Sequence, residues 1–124
     1  MFDVKISRNA PDDSLGADWP TRYAVMAECA REYWENGDIL ITATMHGRIV
    51  GIAHVTQRAE CDRLESLASV FPHAGKLLLG RAIAIAKRDK VRLELHSRPL
   101  PSTIGFYRHC AALREVTPLC FVSI

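Results

Sequence analysis

The chain has 124 residues, a length that suits one domain with a sizeable core. Hydrophobic residues make up 48% and charged residues 24% of it, the balance of a globular protein. A net charge of +2 falls well short of the basic footprint of a dedicated nucleic-acid binder, and no apolar run approaches the roughly 18 residues that cross a bilayer. Met1-Phe2-Asp3-Val4-Lys5 lacks a basic segment followed by an apolar run, so no secretory leader is expected. Cys29, Cys61, Cys110 and Cys120 contain no CxxC pair and read as reduced core thiols. A cytoplasmic location is the expectation. With no repeat and no Pro- or Gly-rich linker, residues 1–124 read as a single domain.

Phe2-Asp3-Val4-Lys5-Ile6 alternates apolar and polar side chains, the pattern of a half-buried strand. The stretch 9–16, with Pro11, Asp12, Asp13 and Ser14, is turn chemistry. A helix is expected from near Asp18, with Pro20 in its first turn, and Tyr23, Ala27, Ala30 and Trp34 form one stripe along it. Asn36-Gly37 suits its left-handed cap. Two β-rich runs, 39–45 and 49–56, flank His46-Gly47-Arg48 and predict an antiparallel hairpin with positive φ at Gly47.

A third strand is expected over 61–71. The run 76–87 carries Leu77, Leu78, Leu79, Ile83 and Ile85, is too long for a strand, and reads as a largely buried helix with Lys76, Arg81 and Arg88 toward water. Val91-Arg92-Leu93-Glu94-Leu95 alternates as a strand again. Ser102 suits the N-cap of a short helix through Ile104, Phe106, Tyr107 and Cys110. The tail from Leu113, broken at Pro118, gives two short strands. The expected fold is α/β (α+β), in the order β-α-β-β-β-α-β-α-β-β. A helical crossover makes the strands on either side of it parallel, so the sheet is mixed but mostly antiparallel, with flanking helices.

Three segments resemble the GNAT superfamily of acyl-CoA-dependent acyltransferases. They are His46-Gly47-Arg48-Ile49-Val50-Gly51-Ile52-Ala53, the run from Leu67 to Lys76, and Ile104-Gly105-Phe106-Tyr107-Arg108-His109-Cys110 with Leu113-Arg114-Glu115-Val116. The chain departs from the family's cofactor loop at Leu77, where Arg or Gln is usual. It departs again at Leu100, where Asn is usual, and at Ala111-Ala112-Leu113, where Gly-Phe is usual. The resemblance implies acetyl-CoA as co-substrate and an amine as acceptor. It implies cofactor contacts from Leu67, Ala68, Ser69 and Val70 on the fourth strand, and from His73, Ala74, Gly75, Lys76, Leu78, Leu79, Gly80 and Arg81 on the loop and helix after it. Ser102 and Phe106 would add contacts from the last helix. Tyr107 stands where the family often keeps the acid that protonates the departing thiolate.

The chemistry of these residue types is consistent with such roles. Amides at a helix start, with Gly75 and Gly80 allowing close approach, can hold a pyrophosphate. The same glycines also suit a plain helix-start turn and a packing position. Glu65 is the first candidate for taking the amine proton, ahead of His96 and His54. The five histidines have no metal-ligand spacing with one another or with the cysteines, so no metal is expected. Two other functions stay open: a GNAT-like acyl-CoA-binding or protein-interaction module without turnover, and, more weakly, a nucleic-acid partner. A homodimer through the tail strands is a further expectation.

Overall fold

A computed structural model describes residues 2–124. Its elements run β1 (Asp3–Ser7), α1 (Thr21–Glu32), β2 (Ile39–Met45), β3 (Arg48–Gln57), β4 (Cys61–Ser69), α2 (Ala74–Arg88), β5 (Arg92–His96), α3 (Pro101–Arg108), β6 (Leu113–Thr117) and β7 (Cys120–Ser123). The strands form one seven-stranded sheet in the order β1-β2-β3-β4-β5-β7-β6. Only β4 and β5 pair in parallel, and α2 is the crossover between them. The expected element order and mixed sheet are therefore present.

Several boundaries shift, each for a local reason. Pro20 is the N-cap of α1 rather than part of its first turn, and α1 stops at Glu32 before Asn36-Gly37 is reached. The β2–β3 loop is the pair His46-Gly47, with φ of 52° and 75°, so Arg48 belongs to the strand. Two successive positive φ values match the right-handed twist of a tight hairpin. The third strand ends at Ser69, two residues short of Phe71, because the Ser69 hydroxyl donates to the Phe71 carbonyl and turns the chain. Ser102 lies inside α3 and makes no cap; Leu100 is the N-cap, and Pro101 fills the first position, where its missing N–H costs nothing.

The helices cover the sheet unequally. On one face α2 buries Ala74, Leu78, Leu79, Ala82, Ile85 and Ala86 against Ile39, Ile41, Ala53, Val55, Leu93 and Leu95. This helix is amphipathic rather than buried all round, since Leu77 is 37% exposed. On the other face α1 sets Ala27 and Ala30 over Leu40, Ile52 and Ala68, with Leu15 and Trp19 closing the end. The four cysteines are free and half-buried rather than core thiols. No helix among the described residues is long and apolar enough to cross a membrane.

Candidate functional site

The sheet is incomplete between β4 and β5. Cys61 to Leu64 pair with Arg92 to Leu95, and there the parallel ladder ends. Beyond that point β4 continues to Ser69, held only by β3 through Ser66, Leu67, Ala68 and Ser69. The last residue of β5, His96, pairs with Cys120 of β7 and with no residue of β4. One edge of β4 from Glu65 to Ser69 is thus left without a strand partner, inside the sheet rather than at its rim.

Glu65 itself sits at an irregularity: His54 opposes Ser66 and Val55 opposes Leu64, so Glu65 is the extra residue of a β-bulge. The bulge re-aims its carboxylate, which lies 3.4 Å from Arg63 and 3.9 Å from Arg58.

The cleft in this splay is lined from three sides. β4 gives Leu64 to Ser69, α3 and its approach give Leu100, Ser102, Thr103 and Tyr107, and α1 gives Arg22, Tyr23 and Met26; His96 and Arg98 stand at the end of β5. Tyr107 is 7% exposed and packs on Phe106 and Phe121, at centroid distances of 5.2 and 5.6 Å. Burial alone pushes its phenol up from 10.0 to about 12. His96 is engaged by the Cys120 sulfur, 3.4 Å from Nδ1.

Through Ser69 and Tyr23 the cleft joins a second hollow, lined by Ser69 to His73, Gly75, Lys76 and Phe106. His73 adopts the left-handed conformation and α2 begins at Ala74. The Leu77 amide reaches back to His73 O, while the amides of Gly75 and Lys76 have no backbone acceptor. A Cβ at Gly75 would lie 3.6 Å from Ser69 and 3.7 Å from Phe106, so the glycine keeps this hollow wide.

The expected cofactor residues divide into groups. Ser69, Val70, His73, Gly75, Lys76 and Phe106 meet at the α2 start, while Leu67, Ala68, Ser69 and Ser102 meet Glu65 and Tyr107 in the splay. Gly80, expected beside Gly75 at the helix start, does not stand there. Gly80 is the seventh residue of α2, its amide belongs to the helix ladder, and with Leu79 it lines an apolar groove between α2 and α3. Ala74 and Leu78 are fully buried in the core, and Arg81 is exposed on α2 away from these clefts.

His54 likewise lies outside these clefts. Its Nε2 lies 2.6 Å from Asp38 Oδ2, its ring stacks on Trp34, and it is fully buried. Arg22, Tyr23, Met26, Arg98 and Thr103 line the splay without any sequence signal having marked them. No group of His, Cys, Asp and Glu suited to a metal occurs among the described residues.

No family model matches the chain, and no curated protein matches it in sequence. Solved structures do match. An acetyltransferase from Streptococcus agalactiae superposes with a TM-score of 0.66 at 12% identity, covering 98% of each chain. The PaiA N-acetyltransferase from Thermoplasma acidophilum, in complex with coenzyme A, gives 0.59 at 15% identity over 97% of this chain and 96% of that one. A GNAT-family protein from Desulfovibrio desulfuricans gives 0.62 at 17% identity, with 98% and 96% covered. These neighbours match over nearly their full length: the chain has the GNAT acetyltransferase fold.

Proposed function

We propose that this protein transfers an acetyl group from acetyl-CoA to a primary amine. The observation that carries this reading is the unpaired β4 edge at Glu65–Ser69 leading directly to the free amides of Gly75 and Lys76. The amides of an extended pantetheine arm match an unpaired strand edge, as in other strand-addition complexes. A pyrophosphate matches the first turn of α2, where two free N–H groups, the helix dipole and the Lys76 ammonium add together. That placement brings the thioester beside Tyr107. That the PaiA neighbour holds coenzyme A adds support at the level of the fold.

The chemistry follows from this arrangement. The amine lone pair attacks the thioester carbonyl carbon, the C–N bond forms, and the C–S bond breaks. Glu65, and behind it His96, receives the amine proton directly or through water. Tyr107 donates a hydrogen bond to the departing sulfur, which leaves as the thiolate. A second reading, cofactor binding without turnover, is favoured by Leu77 and Leu100, which are 37% and 46% exposed where polar cofactor contacts would be expected.

Calorimetric titration with acetyl-CoA and with free CoA tests the first step. Binding in the micromolar range, weakened at least about tenfold by Gly75→Glu and less by Lys76→Ala, is the expected result. No binding at millimolar ligand removes both readings. Binding without thiol release from any amine leaves the second.

A further inference from the structure

We infer that the acceptor is a small amine that also carries a carboxylate and an apolar side chain, an α-amino acid or close analogue, with Arg98 holding the carboxylate. This rests on the acyl-transfer reading above and names the acceptor for the same site. On the α1 side of the splay lies a chamber of about 470 Å³. It shares Met26, Glu65, Ser66 and Arg98 with the thioester cleft, so a molecule seated in it reaches the reacting carbonyl without crossing the sheet.

Three observations define what fits. First, the charges do not cancel. Glu65 is offset by Arg63 and Arg58, and Arg63 also reaches Glu94 at 3.6 Å. Arg98, on the chamber wall, makes no ion pair among the described residues, and Arg22 in the adjoining cleft lies only over the Tyr23 ring, at 4.6 Å. The guanidinium fork matches a carboxylate bidentately, and an anion here meets uncompensated positive charge. Second, the lining includes exposed apolar surface: Val25 and Tyr33 of the α1 segment are 39% and 64% exposed. Third, Glu65 lines the same chamber as Arg98, so one chamber offers an acceptor group for an ammonium and a donor fork for a carboxylate. An amine with no anionic group leaves Arg98 unmatched, and a wholly polar acceptor leaves Val25 and Tyr33 wet.

The test is calorimetric binding of L-leucine, L-leucinamide and isoamylamine to the whole protein in the presence of CoA, for wild type, Arg98→Ala and Arg98→Lys. Leucine is expected to bind at least about tenfold tighter than the two ligands without a carboxylate. Arg98→Ala should abolish that ratio, and Arg98→Lys should restore part of it. Leucine binding no tighter than isoamylamine, or a preference that survives Arg98→Ala, overturns the assignment. The ratio is read without turnover. Failure of CoA itself to bind in a separate titration instead strikes the acyl-transfer reading.

Discussion

Replacing Tyr107 with Phe separates its role in the cleft from its role in the core. The ring contacts with Phe106 and Phe121 are kept, and burial is the only influence on the phenol, so no internal hydrogen bond is lost. Unfolding midpoints near neutral pH should therefore change little. Activity should not be spared. What the phenol supplies to the departing thiolate is a hydrogen bond to developing negative charge, worth about 1.5–3 kcal/mol, or roughly ten- to a hundredfold in rate. The loss is expected in kcat, with the acetyl-CoA KM almost unchanged.

With the phenol pushed up to about 12, Tyr107 stays protonated throughout the working range, and no basic limb of the pH–rate profile belongs to it. Thiol release measured from about pH 6 to pH 10 reads all three quantities. A variant retaining more than about half of wild-type kcat refutes the assignment, as does a basic limb that Tyr107→Phe removes. The raised phenol has a second consequence. Its stabilising contribution is whole below the ordinary value of 10.0 and is lost as pH rises toward about 12, so wild type should lose about 3 kcal/mol more than Tyr107→Phe across that window.

Asp62 is 1% exposed with Oδ2 unpartnered, and burial raises its carboxyl above the ordinary 3.8. Its contribution is whole below that value and lost as pH rises through the folded one, so the urea midpoint of Asp62→Asn should gain on wild type as pH rises above the ordinary 3.8. A difference independent of pH would contradict this. Gly51→Ala puts a Cβ 2.9 Å from Leu78 Cδ1 and 3.1 Å from the Ala68 carbonyl, both in the packed core. It should cost about 1–3 kcal/mol in denaturant unfolding, and an unchanged midpoint tells against the packing described. Gly80→Ala, where a Cβ meets nothing within 4 Å in mid-helix, should stabilise by about 0.5–1 kcal/mol in the same assay.

Much of the fold was legible as local pattern. Alternation marked β1 and β5, the His46-Gly47 pair marked the hairpin, and the apolar run after Gly75 marked α2 as the crossover that makes β4 and β5 parallel. The cofactor side of the site was legible in part, because Ser69 to Lys76 is one contiguous strand-to-helix passage whose chemistry lies in its own backbone. Gly80 was misplaced because sequence does not fix where the first helical turn begins, and one residue of left-handed chain at His73 moved that start to Ala74.

Of the proposed acceptor side only Glu65 was marked in the sequence, as a candidate base. Arg22 and Met26 come from α1, Glu65 from a bulge and Arg98 from the end of β5, and no spacing along the chain relates them. They meet because the β4–β5 ladder stops at Leu64 and Leu95 and leaves the rest of β4 open on that side. Elements follow from side-chain periodicity, which each segment carries in itself. Which strand edge is left unpaired depends on what every other strand pairs with, and only the assembled sheet decides that.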